Sequence, residues 1–200
     1  MNDDHHSWPD ENRIHCLEDQ EVIVRDFACD GLVLDIGGGG EGVIGRLKGR
    51  EVIAIDNRRK ELEEAPDGPI KVVADAASLP FLDNTFPTTT AFFTFMFMDE
   101  KTHPQVMAEV FRTLREGGQF LLWDIHSPIR EGSNKDIFAF KILIRLPHET
   151  ITPAYGGRRP NKVHDLNYYR RLVSAAGLRF VRAEETGLTF FIQFEKPYTG

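Results

Sequence analysis

The chain of 200 residues has little of what marks secreted, disulfide-linked or membrane-spanning proteins. It contains only two cysteines, Cys16 and Cys29, and their spacing is not that of metal ligands, which excludes a disulfide framework and favours a reducing compartment. The longest apolar run, residues 91–98, is far shorter than the roughly 20 residues that cross a bilayer. The N-terminal residues lack the apolar core of a signal peptide. These absences predict a soluble cytoplasmic protein without a membrane partner.

Basic residues are scarce relative to acidic ones. The chain has 24 Lys and Arg against 31 Asp and Glu, a formal net charge of −7. Nucleic acids and anionic membranes bind basic surfaces, so this charge argues against both as partners. The seven histidines have no partners at metal-ligand spacing, and no metal site is expected. The length fits one domain, residues 1–200, that buries about 70% of its unfolded surface.

Short apolar runs alternate with helical patterns along most of the chain. The expected strands lie at residues 32–36, 51–55, 70–74, 88–95, 119–123, 178–183 and 188–194, with helices at 102–115 and after Asp165. Apolar strands separated by helices are typical of parallel sheets with right-handed crossovers and helices on both faces. We therefore predict an α/β fold, a doubly wound and mostly parallel sheet of seven strands that ends in an antiparallel C-terminal pair.

Two regions depart from this alternation. Residues 1–30 are predicted to be an N-terminal extension, helical from about residue 11. Residues 127–162 form an insert after the fifth strand. Alternating apolar residues in it predict a strand over 138–146 and a second strand over 150–155, ended by two glycines. This hairpin is consistent with simple packing, with a lid or pocket wall, and with a dimer surface.

A glycine-rich segment follows the first strand, in the sequence VLDIGGGGEG over residues 33–42. Glycines between a strand and a helix allow the backbone to approach a ligand closely. Gly37, Gly39 and Gly42 match the spacing of a dinucleotide fingerprint, and Asp56 follows Gly37 by 19 residues. The glycines alone leave a nicotinamide cofactor and another nucleoside open.

Carboxylates at the ends of three successive strands narrow the choice of ligand. Asp35 precedes the glycines, where it suits a ligand with an ammonium group rather than a pyrophosphate. Asp56 ends the second strand, where it can accept both hydroxyls of a ribose, and Asp75 follows the third, where it can accept from the amine of adenine. A cationic amino-acid end, a ribose and an adenine together describe S-adenosylmethionine.

Three motifs carry a family resemblance: residues 33–42, residues 53–57 and the segment DAASLPFLDNTF at 75–86. With LREGGQF at 114–120, they resemble class I S-adenosylmethionine-dependent methyltransferases, close to the small-molecule group that includes quinone-biosynthesis enzymes. The resemblance covers about residues 31–126 and 165–194 and implies the Rossmann-like methyltransferase fold. Two residues depart from the family pattern: Glu41 occupies the third glycine position, and Pro87 stands where an Asp is common.

The resemblance also implies a set of cofactor-binding residues. They are Asp35, Gly37, Gly38 and Gly39 at the methionine end, Asp56 and Asn57 at the ribose, Asp75 and Ala76 at the adenine, and Ala91 and Phe92 facing the methionine moiety.

Methyl transfer from a sulfonium needs positioning more than acid–base chemistry, because the leaving group is already good. Orientation alone can supply about 7–11 kcal/mol of the barrier. His126, at the end of the fifth strand, is the first candidate base, with Asp124 to orient it; the alternative is that His126 only caps its loop. His164 and Tyr155 are weaker candidates if the insert folds over the site, and His103 is expected to start a helix.

The sequence therefore predicts an enzyme that transfers a methyl group from S-adenosylmethionine to an O, C or N atom of a small molecule, leaving S-adenosylhomocysteine. A non-catalytic S-adenosylmethionine-binding module is one alternative. A NAD-dependent oxidoreductase is another, disfavoured by Asp35 and by the segment Asp75-Ala76. The insert leaves a homodimer open.

Overall fold

In the computed structural model, which describes residues 10–198, the chain forms two β-sheets and four α-helices. The strands are β1 (Ile14–Cys16), β2 (Gln20–Ile23), β3 (Val33–Ile36), β4 (Val52–Asp56), β5 (Ile70–Val73), β6 (Phe86–Phe92), β7 (Leu114–Ile125), β8 (Ile137–Arg145), β9 (Thr150–Ile151), β10 (Ala154–Arg158), β11 (Arg179–Thr186) and β12 (Thr189–Glu195). The helices are α1 (Val43–Lys48), α2 (Arg59–Glu64), α3 (His103–Thr113) and α4 (Leu166–Ala175).

The large sheet has seven strands in the order β11-β12-β7-β6-β3-β4-β5. From β5 to β7 all neighbours are parallel, whereas β12 pairs with β7, and β11 with β12, in antiparallel fashion. This confirms the predicted fold. The chain order reverses at β3, which has β4 on one side and β6 on the other, and in such sheets ligands bind beyond the carboxyl ends of the strands at this point.

The predicted start of the fifth strand is wrong, because β7 begins at Leu114 rather than at residue 119. Phe86 pairs with Leu114 and Thr88 pairs with Gln119, so the residues between them form a bulge opposite β6. Gly117 in the bulge adopts a φ of +69°, which a glycine tolerates without strain. The glycines therefore lie within the strand and do not separate it from α3.

The fourth strand ends earlier than predicted, at Phe92 rather than residue 95. Phe93 takes a φ of +48°, and Phe95–Phe97 form a single 3-10 turn. The rest of the apolar run thus turns away from the sheet, and part of it lines the cavity described below.

The second sheet is built around β8. On one edge β1 and β2 pair with it in parallel, and on the other β9 and β10 pair with it in antiparallel fashion. The helical extension predicted for residues 11–30 is wrong: within the described residues this stretch has a 3-10 turn and two strands, and residues 1–9 lie outside the described part of the chain. In β2 the side chains alternate, with Gln20 and Val22 buried and Glu21 and Ile23 exposed, which is the pattern of a strand that packs on one face.

The predicted hairpin in the insert is confirmed, and its apolar face is buried. That face consists of Phe138, Phe140, Ile142, Ile144 and Leu146. The two glycines expected to end the second strand lie inside β10 instead, where Gly156 pairs with Ala139 and Gly157 with Phe138. A Cβ on Gly157 would lie 3.1 Å from the carbonyl oxygen of Met96, so glycine lets the second sheet approach this segment closely.

Apolar residues pack on both faces of the large sheet. On one face the second sheet and helices α1 and α2 cover residues such as Val33, Trp123 and Ile125. On the other face α3 and α4 cover residues such as Ile36 and Leu122. Within residues 10–198 no helix combines the length and the apolar character needed to cross a membrane.

Candidate active site

A cavity of about 1020 Å³ opens at the carboxyl ends of β3, β4, β5 and β6, between the glycine loop (residues 37–42) and the second sheet. Most of the predicted cofactor residues line it together: Asp35, Gly37, Gly38, Gly39, Asp56, Asn57, Asp75, Ala76 and Phe92. Ala91 does not. Successive residues of a strand point to opposite faces, so Ala91 lies in the core on the α3 side of the sheet while Phe92 faces the cavity. The prediction that Ala91 faces the ligand is wrong.

Asp35 is a buried carboxyl at the inner end of the cavity. It is 2% exposed, and its Oδ1 accepts a hydrogen bond from the Thr90 hydroxyl at 2.7 Å. Burial raises the pKa of Asp35 to about 7, although the hydrogen bond from Thr90 acts in the opposite direction. A cationic group near this carboxyl would favour its charged form.

The glycine loop fits tightly over the end of β4. The backbone N–H groups of Gly37 and Gly38 donate to the carbonyl oxygen of Ile55 at 2.8 and 3.0 Å. A Cβ on Gly37 would overlap Thr94, and one on Gly39 would lie 2.5 Å from Cβ of Glu61. Side chains are thus excluded at Gly37 and Gly39, and the backbone there lies directly against the cavity.

The two other strand-end acids are held by local backbone contacts. Asp56 Oδ1 accepts a hydrogen bond from the N–H of Arg58 at 2.9 Å, and Asp75 Oδ1 accepts one from the N–H of Ala77 at 2.9 Å. In each case one carboxylate oxygen fixes the turn, and Oδ2 makes no hydrogen bond within the described residues. Because these residues follow neighbouring parallel strands, the two carboxylates lie along one edge of the sheet.

The opposite side of the cavity is mainly apolar and comes from regions without a family motif. We call it the acceptor wall, and it consists of Ile14, Phe93, Phe97, Met98, Ile137, Ala139, Tyr155 and Gly156. Sequence reasoning named Tyr155 as a residue that the insert could bring to the site, and the structure places it there. It did not find Ile14 or Ile137, which are paired across β1 and β8. No local sequence pattern predicts a pairing between residues so far apart in the chain.

The expected catalytic residues lie elsewhere. His126 is not among the lining residues; its Nε2 is 3.4 Å from Glu185 Oε2, and its ring centroid is 5.1 Å from that of Phe190. Asp124 is fully buried, its Oδ1 accepts from the N–H of Ile125 at 2.8 Å, and burial raises its pKa to about 7. The prediction that these two residues stand at the acceptor end of the cavity is wrong, because β7 continues through Ile125 and pairs with β12.

Two further histidines form a polar cluster beneath the cavity. His103, the first residue of α3 as predicted, is buried, with Nδ1 2.8 Å from the Tyr168 hydroxyl. Burial lowers its pKa to about 4. His164 stacks on Tyr168 with ring centroids 4.5 Å apart, and its Nε2 is 3.6 Å from Glu100. Neither histidine lines the cavity, and within residues 10–198 no three metal-ligand side chains are grouped.

Comparison with known proteins agrees with this arrangement. Residues 34–122 match the family model described as a methyltransferase domain, a segment that contains the glycine loop and all three strand-end acids. The chain is similar to the ubiquinone/menaquinone biosynthesis C-methyltransferase UbiE of Cronobacter sakazakii, with 36% identity over 77 residues. That match covers 38% of this chain and 30% of the relative, so the chain spans less than a third of the length of the curated relatives it matches.

Solved structures show the same fold over a longer stretch. An S-adenosylmethionine-dependent methyltransferase from Methanosarcina mazei has a TM-score of 0.60 at 17% identity, covering 86% of this chain and 95% of that one. Another from Mesorhizobium loti has a TM-score of 0.58 at 14% identity, covering 84% and 93%. The match over residues 34–122 shows a methyltransferase domain, and the architecture shows that the chain shares the fold of S-adenosylmethionine-dependent methyltransferases.

Proposed function

We propose that the protein transfers a methyl group from S-adenosylmethionine to an O, C or N atom of a small-molecule acceptor. The observation that carries this proposal is the single cavity in which the glycine loop and three strand-end carboxylates face an apolar wall. When bound, S-adenosylmethionine supplies a methyl group on a positively charged sulfur and leaves as neutral-sulfur S-adenosylhomocysteine.

The residues present fit this cofactor. The glycine loop has no room for side chains at Gly37, Gly38 and Gly39, so its backbone can lie against the methionine end there, and the buried Asp35 can receive an ammonium group. The free oxygen of Asp56 can accept the ribose hydroxyls, with Asn57 beside it. Asp75 and Ala76 can contact adenine, and Phe92 can contact the apolar part of the methionine.

The chain's own contribution to the reaction is positioning and removal of water. The acceptor wall carries aromatic and aliphatic side chains that exclude water from the acceptor end of the cavity. A pocket that holds two reactants in line can supply about 7–11 kcal/mol of the barrier without a general base. The location of His126 outside the cavity is consistent with such a mechanism.

We further propose a cytoplasmic protein whose partner is a small molecule and not a nucleic acid. The net charge of −7 supports this, because a phosphate backbone is attracted by basic surfaces. The homodimer remains a proposal that size-exclusion chromatography with light scattering tests directly.

Two measurements test the proposed function. In the first, thermal unfolding is followed with S-adenosylmethionine, S-adenosylhomocysteine or NAD, and a ligand at 100 times its Kd adds about 2.7 kcal/mol of stability. We expect both sulfur nucleosides to stabilise the protein and NAD to have no effect; stabilisation by NAD alone overturns the proposal.

In the second measurement, labelled methyl from S-adenosylmethionine is followed into a small-metabolite extract. We expect label in a small-molecule product. Tight cofactor binding without any transfer would instead identify a non-catalytic binding module.

A further inference from the structure

Glu41 stands where the glycine loop meets the second sheet. Its backbone carbonyl accepts a hydrogen bond from Arg46 Nε at 2.7 Å, and the same guanidinium pairs with Glu149 at 2.9 Å, in the turn between β8 and β9. Glu41 is one of the residues that line the cavity. Glu41 is also the residue that departs from the family's glycine pattern, so its side chain is a feature of this chain's own site.

Tyr155 brings an aromatic ring and a hydroxyl to the same point. Its ring centroid lies 5.6 Å from that of Phe93 and 6.4 Å from that of Phe97. Its hydroxyl is beside the Glu41 carboxylate, and burial together with that negative charge raises the pKa of Tyr155. The phenol therefore stays protonated at neutral pH and can donate a hydrogen bond to Glu41.

The charges around the cavity are mostly negative. At its acceptor end Asp99 lies near the aromatic residues, with Oδ1 accepting from the N–H of Lys101 at 3.0 Å. Among the described residues that line the cavity, Arg58 is the basic one. Its guanidinium forms an ion pair with the Glu61 carboxylate at 3.1 Å, on the cofactor side. An acceptor carboxylate or phosphate would meet repulsion here without a basic partner.

Aromatic surface near these acids is open to a ligand. Phe97 is 53% exposed at the cavity, whereas Phe93 and Tyr155 line the wall beside it and are largely buried. A carboxylate next to aromatic faces is a suitable environment for an ammonium group, which gains from the ring quadrupole and from a charge-assisted hydrogen bond.

We propose, building on the methyltransferase function above, that Glu41 with Tyr155 sets the acceptor specificity of the site and selects a small amine by its ammonium group. This group serves for recognition, because a protonated nitrogen has no lone pair to accept the methyl group, which goes to another atom of the acceptor. The ammonium group hydrogen-bonds to the Glu41 carboxylate, and the apolar part of the amine lies against Phe93, Phe97 and Met98. Arg46 is a positioning residue, since it holds the backbone of Glu41 against the turn of the second sheet.

The test measures binding of three probes of similar shape but different charge by titration calorimetry. Benzylamine, benzyl alcohol and benzoate are each titrated at neutral pH into protein saturated with S-adenosylhomocysteine. We expect benzylamine to bind most tightly and benzoate most weakly. Equal binding of the amine and the alcohol, tightest binding of benzoate, or no binding of benzylamine overturns the inference.

A variant then assigns the preference to Glu41. In Glu41→Gln, which keeps the shape and removes the charge, we expect benzylamine to bind about tenfold more weakly, the effect of losing one charge-assisted hydrogen bond. Benzyl alcohol binding should change little. Glu63→Gln is the matched control, because Glu63 is exposed on α2, away from the cavity. Retention of the amine preference in Glu41→Gln contradicts the role of this residue.

The affinity for S-adenosylhomocysteine separates this inference from the proposed function. Glu41→Gln should bind S-adenosylhomocysteine with a Kd within about threefold of that of the unaltered protein, because the Glu41 side chain is assigned to the acceptor side of the cavity. Loss of S-adenosylhomocysteine binding in the variant would place Glu41 at the cofactor instead. Failure of the unaltered protein to bind S-adenosylhomocysteine would contradict the methyltransferase function itself.

Discussion

The large sheet and the second sheet contribute to the cavity in different ways. The large sheet presents residues at the ends of parallel strands, each followed directly by its own short motif, so cofactor-facing groups are close in sequence to the strands that hold them. The second sheet instead presents residues from strand faces, and β8 pairs with strands that come from the N-terminal part of the chain. The ion pair between Arg13 and Asp136 joins residues 123 positions apart.

This difference implies that the two halves of the site can be altered separately. The cofactor half depends on backbone geometry and fixed carboxylates. The acceptor wall depends on packing between distant segments. Variants in the two regions should therefore affect stability, cofactor affinity and acceptor affinity in different proportions.

The largest expected effect is on the stability of the second sheet. Phe140 is buried on β8, with its ring centroid 6.2 Å from that of Phe93 and 6.1 Å from that of Tyr155. Phe140→Ala should lower the free energy of unfolding by about 3–5 kcal/mol, measured by urea denaturation. The control is Lys141→Ala, because Lys141 is exposed on the same strand. This substitution should change the free energy of unfolding by less than about 0.5 kcal/mol.

In native buffer, Phe140→Ala should still bind S-adenosylhomocysteine within about threefold of the unaltered protein, but it should bind benzylamine poorly. If both ligands lose affinity in parallel, the two halves of the site are not independent.

The next effect concerns the cofactor half alone. Asp56→Asn should weaken S-adenosylhomocysteine binding by about 10- to 100-fold, because charged hydrogen bonds to the ribose contribute about 1.5–3 kcal/mol. The measurement is titration calorimetry, with Asp67→Asn, an exposed acid before β5, as the control. An unchanged Kd would remove the ribose assignment.

A pH dependence should come from Asp35. Its raised pKa of about 7 means that the free protein carries this carboxyl protonated at acidic pH, while a bound ammonium group favours the charged form. Binding of S-adenosylmethionine therefore releases a proton below pH 7, and affinity should fall by up to about tenfold for each pH unit below 7 and level off above it.

Asp35→Asn should remove this slope, as determined by calorimetric titrations between about pH 5 and pH 8. The same slope in the variant would assign the titration to another group.

The smallest effect is expected for the contact that joins the two halves. Glu149 pairs with Arg46 in a partly exposed setting, with 41% of the Glu149 side chain accessible, so Glu149→Gln should lower the free energy of unfolding by less than about 1 kcal/mol. Because Arg46 also holds the backbone of Glu41, benzylamine affinity should fall by about two- to threefold while S-adenosylhomocysteine affinity is unchanged. A larger effect on the cofactor than on the amine would contradict the positioning role.

Much of the large sheet and of the cofactor side could be predicted from sequence, since its signals are local. The glycines between β3 and α1 and the acids after β3, β4 and β5 each lie within a few residues of the element that positions them. The prediction for Ala91 was wrong because it assigned Ala91 and Phe92 to the same face of the sheet, although successive strand residues point to opposite faces.

The acceptor side could not be predicted to the same extent, for two physical reasons. Strands β1 and β2 have three and four residues, too few for a periodic pattern, and only their pairing with β8 makes them strands. His126 was misplaced because its position depends on the C-terminal strand: its N–H donates to the carbonyl of Leu188 at 2.8 Å, which keeps it on the β12 side.

The parallel pairing of β1 and β2 with β8 has a consequence for biosynthesis. At about 5–20 residues per second, these first strands leave the ribosome roughly 6 to 25 seconds before their partner is complete. During that interval the backbone N–H and C=O groups of these residues have no sheet partner, and they can pair wrongly with other nascent chains. A newly made polypeptide therefore has to keep residues 14–23 from wrong pairing for longer than a protein whose early segments pair locally.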